Sequence, residues 1–120
     1  MQTATIRIKD TLVLALHIRR LDARNGGRLL QLIADHIQHG VRKMVLDFAP
    51  ETVFDFAGIE SLARACVMIG GGKYLKLTGL GARARVTART LGLSKDIEML
   101  EWWADAVEDQ VTASPQAEAA

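Results

Sequence analysis

Hydrophobic and polar positions alternate along Thr5–Lys9, the period of a half-exposed strand. Asp10–Thr11 reads as a turn, and Leu12–Ile18 is an almost unbroken apolar run, the pattern of a buried strand. The two segments predict a hairpin. Beyond them, Asp22 or Asn25 can cap a helix that carries Leu29, Leu30, Ile33 and Ile37 at helical spacing and stops at Gly40. Lys43–Phe48 is a further apolar strand, followed by a loop around Pro50. Asp55–Gly58 then leads into a helix whose apolar face is Ile59, Leu62, Ala63, Cys66, Val67 and Ile69, ended by Gly70–Gly72. Tyr74–Thr78 reads as a strand, Gly79–Gly81 as a turn, and Ala82–Leu91 as a helix stopped by Gly92. A weaker strand pattern covers Asp96–Met99, and Glu101–Val111 is amphipathic at helical spacing.

Strands alternating with helices require crossover connections and hence parallel pairing. The opening hairpin adds one antiparallel strand. The expected class is α/β, a mixed and mostly parallel sheet of four to five strands flanked by four helices. Residues 1–111 are expected to form a single domain. The stretch 112–120 is small, polar and Pro-containing, and is expected to fray.

Composition narrows the function classes. At 120 residues, 49% of them hydrophobic, the chain can bury a core without staples. Its single cysteine excludes an internal disulfide and a cysteine-rich zinc site, and makes a reducing, cytoplasmic setting the default. MQTATIRIKD has no apolar signal core, and no run reaches the roughly 18 apolar residues of a membrane span, so no direct membrane insertion is expected. A formal charge of +1 argues against a dedicated nucleic-acid binder. That sum conceals a segregation: Ser61–Lys95 carries +7 with no acidic residue, and Asp96–Ala120 carries −7 with no Lys or Arg. The two blocks are expected to meet in the fold, with Arg85 and Arg89 near Glu101, Asp105 or Glu108.

Most candidate chemistry has a structural explanation. Ile69–Tyr74 (IGGGKY) invites a phosphate-loop reading, but Val67 and Tyr74 stand where that loop needs Gly and Ser or Thr, and a strand follows rather than precedes it. Gly79-Leu80-Gly81-Ala82-Arg83-Ala84 matches a short dinucleotide-binding pattern between strand and helix, and Gly79, Gly81 and Arg83 form a candidate anion or nucleotide site. A tight strand-to-helix turn is the simpler role. His36 and His39 flank a helix C-terminus with no third ligand, so no metal is expected. Cys66 sits on an apolar helix face and is a poor nucleophile. Asp47 and Asp55 flank one loop, and each has an alternative as a cap. Of the adjacent Trp102 and Trp103, one is expected to pack on the sheet and the other to form a contact surface. No nucleophile–base set is visible, which points away from an enzyme.

The run Lys43–Leu62 resembles the signature of the STAS domain, found in bacterial anti-sigma factor antagonists and sulfate transporter tails. Leu46-Asp47-Phe48 resembles the family's hydrophobic-Asp-hydrophobic strand end. Asp55-Phe56-Ala57-Gly58-Ile59 stands where the family has Asp-Ser-Ser-Gly-Leu at the start of a helix. Arg20-Leu21-Asp22-Ala23 resembles its Gly-x-Leu-Asp step, and Tyr74–Leu93 its closing strand-glycine-helix stretch. The resemblance spans Thr5 to Leu100. It implies a switch in which a partner kinase, itself the anti-sigma factor, phosphorylates the motif's second Ser, and the dephosphorylated domain binds that partner. Added phosphate at a helix N-terminus alters a docking surface through charge and desolvation.

Here the decisive position is Ala57, which has no hydroxyl, and Phe56 replaces the first Ser. Ser61, one turn on, is a poor substitute. Phe56 is either a core residue or an aromatic contact for a partner. The resemblance therefore implies a non-catalytic interaction module, unphosphorylatable at the usual site, that binds through Asp22, Asp55, Phe56, Ala57, Gly58 and Ser61. The expected partner is an anti-sigma factor with serine-kinase activity, with no cofactor. Alternatives are a subunit docking on the ATPase of a lipid-trafficking ABC transporter, a scaffold in a stress-sensing assembly, or a small-ligand sensor using Gly79–Arg83. A homodimer is a further expectation.

Overall fold

A computed structural model describes residues 1–93 and 95–112. The chain opens with β1 (Gln2–Ile8) and β2 (Thr11–His17), joined by a two-residue turn in which Lys9 takes a positive φ of 57°. A two-residue strand β3 (Arg20–Leu21) leads into α1 (Ala23–Gln38). Then follow β4 (Lys43–Phe48), another two-residue strand β5 (Val53–Phe54), and α2 (Phe56–Ile69). A 3-10 turn at Gly72–Tyr74 precedes β6 (Leu75–Thr78), α3 (Ala82–Thr90), β7 (Glu98–Leu100) and α4 (Trp103–Thr112).

The main sheet has the order β1-β2-β4-β6-β7, with β1 antiparallel to β2 and every other pair parallel. This is the mixed, mostly parallel sheet with four helices that the pattern predicts, with five strands where four to five are expected. The two-residue strands β3 and β5 form a separate parallel ribbon, which no periodicity announces.

Alternation along the strands divides the core into two unequal layers. One face carries Leu12, Leu14, Leu16, Met44, Leu46, Phe48, Leu75 and Leu77, packed with Leu29 and Ile33 of α1, Ile59 and Leu62 of α2, and Ala84 and Ala88 of α3. The other face is smaller: Val13 and Val45 meet Ala106 and Val107 of α4, with Trp103 packed against them. Trp103 thus lies on the sheet, as expected of one of the pair, and Trp102 is exposed.

Three local readings need correction. β1 is exposed along its whole length rather than half-exposed, because it is an edge strand paired on one side only. Val67 is 80% exposed instead of lining the apolar face of α2, where Ala65 is buried in its place. The helix stripe is rotated because Gly58 and Ser61 are buried against α1 and β3, turning Val67 to solvent. Thr112 closes α4 rather than beginning a tail, and residues 113–120 lie outside the described residues.

Candidate docking site

The β3–β5 ribbon builds the site. Arg20 pairs with Val53 and Leu21 with Phe54, so both strands point the same way and end side by side. Each is followed at once by an aspartate that caps a helix. Asp22 Oδ1 accepts from Asn25 N at 3.0 Å and opens α1; Asp55 Oδ1 accepts from Gly58 N at 2.8 Å and opens α2. Of the two caps the pattern offered for α1, Asp22 is the one used. Asn25 instead donates from Nδ2 to Arg20 O at 2.7 Å, tying the helix start to the ribbon.

Two helix N-termini therefore stand next to each other, and the packing between them is close. A Cβ on Gly58 would lie 2.0 Å from Leu21 O, and one on Gly26 would lie 2.0 Å from Ser61 Oγ. Only glycine admits this approach. Sequence alone does not distinguish Gly26 from Gly27, where a Cβ would meet nothing within 4 Å. Thr52 anchors the ribbon from below, its buried hydroxyl donating to Ile18 O at 2.9 Å. Phe54 packs edge-to-face on Phe48, ring centroids 5.3 Å apart.

The structure brings Asp22, Asp55, Phe56, Ala57, Gly58 and Ser61 together at this end of the molecule. Phe56 is 60% exposed, so the aromatic ring faces solvent rather than the core, and Val53 of β5 is 52% exposed. Ala57 is half-buried and lines a groove of about 250 Å³ with Ala23, Gly27, Leu30, Glu60, Ser61 and Arg64. Ser61 is buried and donates back to Ala57 O at 3.1 Å, so its hydroxyl is turned inward. Asp47 Oδ1 accepts from Thr78 Oγ1 at 2.7 Å, holding β4 to β6.

The second candidate site separates into two environments. Gly79 takes a φ of +78°, and a Cβ there would lie 2.0 Å from Phe48 O. Gly81 faces Pro50 O in the same way at 2.6 Å. Both glycines line a cleft of about 370 Å³ together with Arg85 and Glu101, whereas Arg83 opens onto a neighbouring cleft with Glu51, Val53 and Thr87. The arginine beside the glycines is Arg85, and its Nη2 is 3.7 Å from Glu101 Oε1. The charge blocks thus meet in part. Lys76 pairs with Glu98 on adjacent strands, and Arg89 Nη2 donates to Ile97 O at 3.0 Å.

The remaining candidates take structural places. Gly70 adopts the left-handed conformation (φ 110°) that ends α2, with Gly71 following at 124°. His39 caps α1, its Nδ1 bonded to Asp35 O at 2.7 Å. Cys66 is buried, and burial, with Asp96 nearby, pushes its thiol pKa up. Among the described residues no three His, Cys, Asp or Glu side chains gather as a metal site, and no helix is long and apolar enough to cross a membrane.

No protein-family model matches the chain, and no curated protein matches it in sequence. Solved structures do. A Thermotoga maritima protein assigned as an anti-sigma factor antagonist superposes with a TM-score of 0.72 at 15% identity, over 91% of this chain and 94% of that one. A serine-to-glutamate variant of RsbS from Moorella thermoacetica gives 0.67 at 18% identity, over 92% and 98%. The unphosphorylated anti-sigma factor antagonist SpoIIAA gives 0.61 at 15% identity, over 94% and 100%. Sequence identities this low establish architecture: the chain has the fold of the STAS-type anti-sigma factor antagonists.

Proposed function

We propose that this chain is a non-catalytic docking module of the partner-switching kind, fixed in the form that carries no phosphate at the usual position. The observation that carries the reading is Phe56, an exposed aromatic placed on the first turn of α2, followed by hydroxyl-free Ala57. An aromatic presented on a rigid helix start is the kind of anchor that dominates protein interfaces. The caps keep that start rigid, since the Asp22 and Asp55 carboxylates are already committed to backbone amides. The partner is a protein, in this reading an anti-sigma factor with serine-kinase activity in a bacterial cytoplasm.

The test uses the purified chain, a candidate anti-sigma kinase and ATP. The wild type should bind the kinase without accepting phosphate, and Ala57→Ser should accept it. Phe56→Ala should weaken binding by at least about tenfold, the size of a modest anchor. Phosphate on the wild-type Asp55–Gly58 loop, or binding indifferent to Phe56, overturns the proposal.

A second reading, a scaffold subunit of a stress-sensing assembly, has one specific support. A component of the stressosome, described as a signal integration and transduction hub, superposes with a TM-score of 0.57 at 16% identity over 90% of this chain. Failure to bind any kinase, together with entry into a large particle, would favour it.

A further inference from the structure

We infer that β1 is a self-association edge, on which a second copy of this chain pairs antiparallel to form a two-fold dimer with one continuous ten-stranded sheet. The pairing is independent of the docking loop.

Three observations carry it. First, among the described residues the edge is open. Every residue of β1 is exposed, and the strand pairs with β2 without a bulge from Gln2 to Ile8. Natural edge strands are blunted by Pro, Lys, bulges or a covering element. β1 has no Pro and no Lys, and its only charge is drawn back into its own fold: Arg7 Nε donates to Lys9 O and Nη1 to His39 O, both at 3.0 Å. The opposite edge, β7, has three residues and carries Glu98 in an ion pair.

Second, the strand is complementary to itself. The two-residue turn makes Ile8 and Thr11 the closing hydrogen-bonded pair, so Ile8, Ile6, Ala4 and Gln2 turn their backbone groups toward β2. Thr3, Thr5 and Arg7 turn theirs outward. The centre of Gln2–Ile8 is Thr5, one of the outward set. A two-fold axis through Thr5 therefore gives complete overlap and correct hydrogen-bonding parity together. Thr5 pairs with the partner's Thr5 and Thr3 with the partner's Arg7, for roughly six backbone hydrogen bonds. Within the strand no charge faces a like charge.

Third, the pairing covers apolar surface that the fold leaves bare. Ile6 is opposite Val13 and so lies on the α4 face. α4 packs over β2, β4, β6 and β7, leaving Ile6 48% and Ile8 37% exposed. In the dimer Ile6 sits opposite the partner's Ala4 and diagonal to the partner's Ile6, within reach for side-chain packing. A pairing through a single edge is isologous and closes at two copies.

An interface of one strand per copy is at the small end, below about 1,200 Å² in total, so the dimer should form over roughly 10–500 µM. Sedimentation velocity across that range should show the mass doubling and then levelling. Amide hydrogen exchange should show Thr3, Thr5 and Arg7 gaining protection as concentration rises, while Ala4, Ile6 and Ile8 are protected throughout. Thr5→Pro removes an outward N–H at a position where an edge strand tolerates proline, and should leave a folded monomer. Should that variant unfold, Ile6→Lys keeps the backbone intact and should weaken dimerisation at least about tenfold by placing two ammonium groups diagonally across the axis. A monomer at every concentration overturns the inference. So does a Thr5→Pro dimer as tight as wild type, growth beyond two copies, or Thr5 protection independent of concentration, which would mean that the chain covers its own edge.

Discussion

Helices α2 and α3 both begin where a parallel strand runs out, and they begin in opposite ways. At α2 an aspartate caps the helix, and the first turn presents Phe56 to solvent. At α3 the cap is Gly81, with no side-chain hydrogen bond, and the turn is pressed against the backbone of Phe48 and Pro50. In sequence the α3 start looks like the ligand site, because its glycines match a phosphate-binding pattern. In the fold, the space a Cβ would take at those glycines is filled by the chain's own carbonyls. The α2 start, with its glycine buried against β3, is the one that offers side chains outward. The lesson is that a glycine-rich turn has to be judged by what fills the space beside it.

The largest effect should come from filling that space. Gly79→Ala meets Phe48 O and also strains a left-handed backbone (φ +78°). It should lower stability by about 3–5 kcal/mol, read from urea unfolding midpoints. Gly58→Ala meets Leu21 O equally closely without a positive φ, so it should cost about 2–4 kcal/mol. If Gly79→Ala is tolerated while a nucleotide then fails to bind, the glycine served a ligand and not the packing, and the comparison breaks.

The cap at α2 is the next largest difference. Asp55→Ala should destabilise by about 1 kcal/mol, Asp55→Asn by much less, since the amide oxygen can still accept from Gly58 N. Asp22→Ala should behave alike at α1. No equivalent side chain exists to remove at α3.

How much of this was legible follows from the length over which each signal is written. The hairpin, β4, β6, α1, α2 and α4 announce themselves through repeated apolar positions, α3 through the glycines that bracket it, and Asp55 through its place before a helical stripe. The β3–β5 ribbon is two residues long on each side, so no period exists to read. Yet that ribbon is what aligns the two capped helices. The solvent exposure of Phe56 was equally hidden, because a helix's first turn can face either way until the neighbouring helix is placed. The close approach that fixes it runs through Gly26 and Ser61, 35 positions apart in sequence.

Gly27 separates stability from docking at the α2 side. It is helical and exposed, and a Cβ there meets nothing within 4 Å. Gly27→Ala should therefore stabilise the fold by about 0.5–1 kcal/mol by restricting the unfolded chain. The added methyl also narrows the groove that Ala57 lines. A variant that melts higher and binds its partner less well would assign that groove to docking. One that melts higher and binds equally would confine docking to Phe56 and its surroundings.

The smallest effect lies at the α3 side, where the +7 and −7 blocks touch. Arg85 and Glu101 are 3.7 Å apart, and the Glu101 side chain is 89% exposed. Water and salt screen such a pair, so Glu101→Gln should change stability by less than about 0.5 kcal/mol, fading as salt is added. The consequence for the cleft is larger than for the fold. Arg85 shares that cleft with Gly79 and Gly81, and Glu101 is the acid beside it. If the cleft holds an anion, Glu101→Gln should tighten binding of inorganic phosphate by removing a competing carboxylate, measured by calorimetry. If the glycines serve packing alone, phosphate should bind neither form. The start of α3 would then be a packed turn, with the Arg85–Glu101 pair a screened contact between the two charge blocks rather than part of a ligand site.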